Sequence, residues 1–240
     1  MQPEIDPDGG WVARLSDRSA AEADSAIAEA RNETRIYSYL ARQHAREGRE
    51  SYIEIDAPLE LYALVRLMQP DHVVEVGVSS GVSSAYLLGA LERNGSGRLH
   101  SVDLPSHEAP SRAHRKRTRF SWSLPPGRAT GWAVPPRLRR GWDLRLGDKA
   151  DVLPLLAEQL PSIGLFVYDV PHECGATFRE LERLDPLLGP HAVVIIDHGP
   201  GGNLCPALAR WARRGNSEPS RREGLGLFGA RRAGSRRSVS

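Results

Sequence analysis

The chain has 240 residues, of which 40% are hydrophobic, and a formal net charge of +2 at pH 7. This length predicts one domain with a small additional cap, and the apolar content suffices for a sizeable core. No apolar run approaches the ~18 residues that span a bilayer, and no N-terminal secretion signal is visible, which argues against a membrane protein. The two cysteines, Cys174 and Cys205, make no disulfide framework, so we expect unpaired thiols and a cytoplasmic location.

The N-terminal part of the chain is acidic, with seven acids and two arginines in residues 1–30. Residues 1–18 show no clear hydrophobic period, so no ordered element is predicted there. Residues 19–47 carry the partial apolar stripe of one helix. We interpret residues 1–56 as an acidic segment and helical cap that precede a main domain at residues 57–232.

The main domain begins with a predicted helix at 57–68, after which short apolar strands alternate with helices. The predicted strands are 72–77, 98–103, 142–147, 164–169 and 192–197, and the predicted helices are 82–93, 149–159, 174–187 and 204–213. This alternation predicts an α/β fold with a doubly wound, mostly parallel sheet. Residues 225–231 are typical of a last edge strand, and no separate strand is identifiable between Gly215 and Gly224. We expect residues 233–240 to be a disordered basic tail.

Residues 104–140 interrupt this alternation with a long, basic segment that contains nine Lys or Arg residues and one Glu. A connection of this length in a compact domain is usually functional or disordered, so we expect a substrate-side flap or a partly disordered loop. The basic cluster at residues 112–120 is compatible with an anionic or nucleic-acid ligand, although a charge run in a loop is usually a solvated face.

The segment 73–84, Val-Val-Glu-Val-Gly-Val-Ser-Ser-Gly-Val-Ser-Ser, predicts a strand that turns tightly into a helix. Such a turn offers backbone N–H groups and a positive dipole end to an anionic group, and Gly77 and Gly81 allow close approach. Asp103 ends the next strand, where a carboxylate is placed to accept hydrogen bonds from a ribose. The sequence therefore predicts a nucleoside-type cofactor site, with an ordinary strand–turn–helix corner as the alternative.

Further polar groups follow the later strands, where the carboxyl ends of a parallel sheet form its ligand site. They are Asp148, Asp169, Asp197 and His198. Several carboxylates at strand ends favour a polar cleft, because a carboxylate buried without a partner is costly. For Asp148 alone, a helix N-cap is an equally good interpretation.

The Glu75-x-Gly77-x-x-x-Gly81 spacing lacks the G-x-G of dinucleotide sites, which argues against an NAD-dependent dehydrogenase. The same spacing resembles motif I of class I S-adenosylmethionine (SAM)-dependent methyltransferases. The segments 146–154, 166–172 and 189–198 resemble later motifs of the small-molecule O-methyltransferase branch, with His191 in place of a glycine. The resemblance covers about residues 57–232 and implies a seven-stranded, Rossmann-like sheet. It also implies that SAM is bound by Glu75, Gly77, Ser79, Gly81, Ser83, Asp103 and Asp148.

The same resemblance suggests a divalent metal, Mg²⁺ or Mn²⁺, held by Asp169, Asp197 and His198, which would lower the pKa of an acceptor hydroxyl. The alternative is that Asp169 contacts the cofactor end of the cleft and Asp197 only lines it. His172 follows Asp169 by three residues and is our candidate general base, since its ordinary pKa near ~6.5 suits proton transfer at neutral pH. His44, His72, His100, His107 and His114 are expected to be surface or packing residues.

These features predict a SAM-dependent methyltransferase that acts on a hydroxyl oxygen of a small molecule. Two alternatives remain open: an RNA or other nucleic-acid methyltransferase that uses the basic insertion, and an inactive cofactor-binding regulatory protein on the same fold. Nothing in the sequence predicts a membrane partner. A nucleic-acid partner is less favoured than a small molecule, and a homodimer is left open.

Overall fold

A computed structural model of the chain describes residues 8–47, 56–105, 124–125, 127–170, 174–197, 206–214, 219–222 and 227–232. The helices in this part of the chain are α1 (Gly9–Ser16), α2 (Ala20–Arg31), α3 (Thr34–Arg46), α4 (Asp56–Met68), α5 (Val82–Asn94), α6 (Lys149–Ala157), α7 (Cys174–Leu184) and α8 (Pro206–Arg214). The strands are β1 (His72–Val76), β2 (Arg98–Asp103), β3 (Trp142–Leu146), β4 (Ile163–Tyr168), β5 (Leu188–Asp197), β6 (Ser220–Arg222) and β7 (Leu227–Arg231). Short 3₁₀ helices occupy Pro136–Gly141 and Asp185–Leu187.

The seven strands form one sheet in the order β3-β2-β1-β4-β5-β7-β6. Strands β1 to β5 run parallel, and β7 pairs antiparallel with both β5 and β6. The chain leaves β1 toward β2 and β3 and returns to β4 on the other side of β1, so the order reverses between β1 and β4. In open α/β sheets, this reversal opens a crevice at the carboxyl ends of the strands where ligands bind.

Helices cover both faces of the sheet. One apolar core joins α1 to α5 to the first face through residues such as Val73, Leu99 and Val193. A second core joins α6, α7 and α8 to the opposite face through residues such as Val74 and Phe166. The alternation along β1 follows from the two-residue period of a strand and places Glu75 on the α5 face. Within the described residues, no helix has the length and apolar content to cross a bilayer.

The N-terminal region differs from the sequence-based prediction. Residues 9–16 form α1, although no ordered element was predicted within 1–18. Trp11 is fully buried, and its indole N–H donates to the carbonyl of Ser220 at 3.1 Å. This short helix is held by contacts with the distant end of the chain, which a local hydrophobic period does not reveal. The single helix predicted at 19–47 is two helices, broken at residues 32–33 between α2 and α3.

The far edge of the sheet also corrects the prediction. The strand predicted at 225–231 is β7, but it lies inside the sheet, between β5 and a further strand, β6. Strand β6 has only three residues, Ser-Arg-Arg, and no apolar pattern, which explains why it was missed. It is held by pairing with β7 and by an ion pair between Arg222 and buried Glu60.

The basic insertion is partly built into the core. Ala133, Val134 and Leu138 are buried against the α5 side of the sheet, so this part of the segment 104–140 is packed and forms neither a flap nor a disordered loop. Residues 106–123, which include the whole basic cluster at 112–120, lie outside the described residues. The flap interpretation therefore applies, as a prediction, only to that part.

Candidate active site

The loop between β1 and α5, residues 77–81 and here called the glycine loop, has an unusual backbone. Gly77 and Gly81 have φ values of 96° and 93°, and Ser79 has a φ of 51°. A Cβ atom at Gly77 would lie 1.9 Å from the carbonyl oxygen of Asp169, and one at Gly81 would lie 2.4 Å from Cγ2 of Val134. Both glycines are therefore required by the protein's own packing, and their predicted role in the approach of a ligand stays a prediction.

Asp103, at the end of β2, is bonded to the glycine loop. Its Oδ2 accepts hydrogen bonds from the backbone N–H groups of Val78 at 3.0 Å and Ser79 at 2.8 Å, and its Oδ1 accepts one from Leu104 N–H at 2.7 Å. The loop N–H groups of residues 78 and 79 are thus occupied by this carboxylate, contrary to the expectation that they face a ligand. Asp103 joins the two strand ends that were predicted to form one site.

The N-terminus of α5 offers further backbone N–H donors next to the loop. Gly81 is its N-cap residue, and no side chain accepts a hydrogen bond there. The first N–H groups of a helix have no partner within the helix and carry the positive end of its dipole. This terminus begins at the carboxyl end of β1, beside the sheet crevice, and suits an anionic group of a ligand.

Glu75 is fully buried beneath the loop. Its carboxylate accepts hydrogen bonds from the hydroxyls of Ser83 at 2.7 Å, Ser84 at 2.6 Å and Ser101 at 2.7 Å. Burial raises the pKa of the Glu75 carboxyl, and the three hydroxyl donors oppose that rise. Ser83 and Ser84 lie in the first turn of α5, so Glu75 and its serines fix the helix N-terminus and the loop relative to the sheet.

Trp142 extends this network toward the insertion. Its indole N–H donates to the Ser101 hydroxyl at 2.8 Å, and its ring packs so closely on Gly131 that a Cβ there would lie 2.1 Å from the ring. Gly131 in turn donates its N–H to the carbonyl of Ser79 at 2.8 Å. The loop, β2, β3 and the end of the insertion thus form one connected structure.

Two exposed leucines flank Asp103 and were missed in the sequence. Leu104 follows Asp103 and is 38% exposed, and Leu146, opposite Asp103 in the β2–β3 register, is 50% exposed. Gly147 donates its N–H to the Asp103 carbonyl at 2.9 Å, which keeps the two strand ends together. The available sequence signal was that each leucine adjoins a strand-end residue, Asp103 or Gly147. The two side chains form an apolar surface that suits a planar apolar group.

Asp148 caps α6, because its side chain accepts a hydrogen bond from Ala150 N–H at 2.8 Å. The structure thus shows Asp148 as a helix N-cap, which is one of its two interpretations. Its predicted contact with the cofactor stays a prediction. Beside it, the half-buried Lys149 and the buried Tyr168 hydroxyl both contact Glu180, the hydroxyl at 2.5 Å. Burial, and then the contact with Glu180, raises the pKa of Tyr168.

The predicted metal and catalytic residues are only partly described. Tyr168 and Ile196 are neighbours in the β4–β5 register, so the next residues, Asp169 and Asp197, follow adjacent strands at the crevice. His172 and His198 lie outside the described residues. No group of three metal-ligating side chains occurs among the residues that the structure describes, and the predicted Asp169–Asp197–His198 site stays a prediction.

The other histidines separate into two groups. His72 and His100 pack together on the α6 face, with His100 Nδ1 3.1 Å from an Asp143 oxygen, and burial lowers the pKa of His100. They have no contact with the glycine loop. His44, in contrast, is buried and reaches the loop at Ser80, which the sequence did not indicate. His107 and His114 lie outside the described residues.

A family model described as a methyltransferase domain matches residues 74–198, which is more than half of the chain. The match begins in β1, includes the glycine loop and Asp103, and ends directly after β5. The chain belongs to this methyltransferase family. The predicted family is therefore confirmed, although no curated protein matches the sequence.

Solved methyltransferase structures share the fold at low sequence identity. The O-methyltransferase TomG from Streptomyces achromogenes, involved in tomaymycin synthesis and solved with SAM, is 19% identical with a TM-score of 0.53, covering 83% of this chain and 89% of that one. An O-methyltransferase from Bacillus cereus, solved with S-adenosylhomocysteine (SAH), is 15% identical with a TM-score of 0.51, covering 81% and 90%. A methyltransferase from Geobacter sulfurreducens is 18% identical with a TM-score of 0.52, covering 82% and 89%. The predicted Rossmann-like methyltransferase fold is thus confirmed.

Proposed function

We propose that this methyltransferase uses SAM to transfer a methyl group to a hydroxyl oxygen of a small molecule. The observation that carries the proposal is Asp103, which ends β2, binds the glycine loop and lies at the sheet crevice beside an uncapped helix N-terminus. The SAM and SAH complexes of similar O-methyltransferases support the choice of cofactor and acceptor atom.

The residues present fit SAM group by group. Asp103 provides the acceptor for the ribose hydroxyls, the N-terminus of α5 provides donors for the carboxylate, and Leu104 and Leu146 provide apolar surfaces for the adenine. Glu75 acts indirectly, since its carboxylate is buried and bonded to the serines that hold the loop. Gly77, Ser79 and Gly81 shape the loop itself.

The charge of the crevice also suits this cofactor. Carboxylates end or follow the strands at Asp103, Asp148, Asp169 and Asp197, and Glu75 is buried beneath the loop. SAM carries a sulfonium and an ammonium against one carboxylate, so an acidic crevice attracts it. When bound, SAM supplies an electrophilic methyl group.

On the acceptor side, the protein must orient a hydroxyl and remove its proton. We propose His172 as the base, with Asp169 as its neighbour, or a divalent ion held by Asp169, Asp197 and His198 that lowers the pKa of the hydroxyl. The first arrangement uses the end of β4, and the second uses the ends of β4 and β5. We also propose a cytoplasmic location, because the two cysteines make no disulfide framework.

The test is methyl transfer from labelled SAM to a panel of small hydroxyl compounds, with and without EDTA and with His172→Ala as the matched variant. If a metal is used, EDTA abolishes turnover and Mn²⁺ or Mg²⁺ restores it. If His172 is the base, His172→Ala lowers turnover by roughly 10²–10⁴-fold with SAM affinity kept. Labelling of RNA and not of small molecules would contradict the proposed acceptor, and activity insensitive to both changes would contradict the proposed chemistry.

A further inference from the structure

His44 is buried in the last turn of α3, with 1% of its surface exposed, and it contacts the glycine loop. Its Nδ1 lies 2.9 Å from the Leu40 carbonyl oxygen, and its Nε2 lies 3.2 Å from the hydroxyl of Ser80. Helix α3 belongs to the N-terminal cap, so this contact joins the cap directly to the loop that we assign to SAM.

The hydrogen bonds of His44 define its tautomer. A carbonyl oxygen can only accept a hydrogen bond, so Nδ1 must carry the proton that it donates to Leu40. In the neutral ring, Nε2 is then an acceptor, and the Ser80 hydroxyl donates to it. The direction of this hydrogen bond is thus fixed from the helix side.

The loop is also held by the end of the basic insertion. Gly131 and Ala133 donate their N–H groups to the carbonyls of Ser79 and Ser80 at 2.8 and 2.9 Å. Between these donors, the Trp132 ring packs on His44, with the ring centroids 5.1 Å apart. The insertion segment and α3 therefore meet on the same loop residues.

A second contact ties α3 to the insertion independently of the loop. Arg128 donates to the Glu47 carboxylate, through Nε at 2.8 Å, and its guanidinium carbon lies 5.2 Å from the centre of the Trp132 ring. The insertion segment is thus fixed to the end of α3 at Glu47 as well as at His44.

The loop needs such support because its conformation is strained. Ser79 has a φ of 51°, a left-handed conformation that side-chain-bearing residues rarely adopt and that persists only when surrounding contacts impose it. We propose that His44 is a positioning residue that holds the glycine loop, through Ser80, in the conformation that binds SAM. This role rests on the proposed function, since it concerns the same cofactor site.

The experiment is a double-mutant cycle on SAH affinity with Ser80→Ala, His44→Phe and the double variant, measured by calorimetry. Phe keeps the ring packing on Trp132 but removes both ring nitrogens, so the hydrogen bond to Ser80 is lost together with the bond to the Leu40 carbonyl inside α3. We expect each single change to raise the Kd by about 3–10-fold through the loss of the shared His44–Ser80 hydrogen bond, and the double change to raise it no further. His44→Gln, whose side-chain amide reaches the position of Nε2, should restore most of the affinity.

A kinetic readout separates positioning from a purely structural role. Because His44 does not reach the reacting atoms, its variants should raise the KM for SAM and leave kcat within about 2-fold. The matched control is His72→Phe, half-buried at the opposite end of β1, which should leave the Kd unchanged.

Three outcomes would overturn the proposal. A lowered melting temperature with an unchanged Kd would show that His44 is structural only, and additive effects in the double variant would show that the two residues act separately. Ser80→Ala changes one hydroxyl on a half-exposed loop residue, so it gives a result even if a His44 variant does not fold. A wild-type protein that does not bind SAH would overturn the proposed function and this role with it.

Discussion

Two fully buried glutamates, Glu75 and Glu60, have opposite surroundings. Glu75 lies beneath the glycine loop and is bonded to three neutral hydroxyls at 2.6–2.7 Å. Glu60 lies in α4 and is paired with a cation, since its Oε1 accepts from Arg222 at 2.5 Å and from Asp8 N–H at 2.7 Å. The second oxygen of Glu60 has no hydrogen-bond partner in the described part of the chain.

The difference reflects what each glutamate does. Glu60 joins α1, α4 and β6, three elements distant in sequence, and a charged pair fixes them in a single arrangement. Among the described residues no cation contacts Glu75, and the neighbouring Asp103 carboxylate adds to the rise of its pKa. Two of the hydroxyls bonded to Glu75 lie in the first turn of α5, so Glu75 supports the proposed cofactor site as well as the core. We therefore expect Glu60 to control stability alone and Glu75 to control both stability and cofactor binding.

The largest expected effect is that of Glu60→Gln on the free energy of unfolding. The change removes the negative charge that the buried Arg222 guanidinium contacts, and removing one partner of a buried ion pair costs about 3–5 kcal/mol. Denaturant titration measures the loss, and the SAH affinity of the folded variant should be unchanged. The matched control is Glu92→Gln, at an exposed pair with Arg137, for which we expect about 0–1 kcal/mol. Equal losses at the two positions would contradict the role of burial.

A smaller effect on stability, joined to an effect on binding, is expected for Glu75→Gln. The amide has the same shape but offers donors where the serine hydroxyls also donate, which should lower the free energy of unfolding by about 1–3 kcal/mol. Because Ser83 and Ser84 begin α5, the SAH Kd should rise by about 10-fold. A destabilised variant with wild-type affinity would show that Glu75 is no different from Glu60.

The smallest effect is a difference in pH dependence. Burial raises the pKa of Glu60 and Glu75 above the ordinary value of 4.5, so the folded chain keeps protons that the unfolded chain releases. The free energy of unfolding should therefore fall as pH rises from 4.5 through the folded pKa, by at most about 1.4 kcal/mol per pH unit for each group. Carboxyls with a lowered pKa, such as Glu29 and Asp143, act in the opposite direction.

Comparing slopes isolates each glutamate, since the other carboxyls are common to the wild type and the variant. Denaturation of the wild type and of Glu75→Gln between pH 4 and 8 should show that the free energy of unfolding of the variant falls less, or rises more, with pH than that of the wild type. Parallel curves would mean that Glu75 has the same pKa in the folded and unfolded chain.

The sequence was sufficient where local pattern decides structure. The apolar β-branched runs of β1 and β4 and the Gly95 stop of α5, with a φ of 72°, follow from strand propensity and turn chemistry. Asp103 was identified because strand-end carboxylates of a parallel sheet must meet at one edge. Its actual partners, the loop N–H groups, depend on a loop conformation that the spacing of glycines does not specify.

The rest depended on contacts between distant parts of the chain. Helix α1 and strand β6 are short and weakly patterned, and each is stabilised by the other and by Glu60. His44 is 36 residues from Ser80, and nothing in the spacing indicates that α3 ends against the glycine loop. Long-range burial decides these features, and a local hydrophobic period carries no information about it.

The most direct measurement is a calorimetric titration of the wild type and of Asp103→Ala with SAM and SAH. The wild type should bind one molecule per chain. Asp103→Ala should bind at least about 10-fold more weakly, because charge-assisted hydrogen bonds contribute ~1.5–3 kcal/mol each. The matched control is Asp143→Ala, whose carboxylate lies in the β3 network with His100 and should not affect binding. A wild-type protein that binds neither compound, or an Asp103→Ala variant with unchanged affinity, would contradict the assignment of this crevice as the cofactor site.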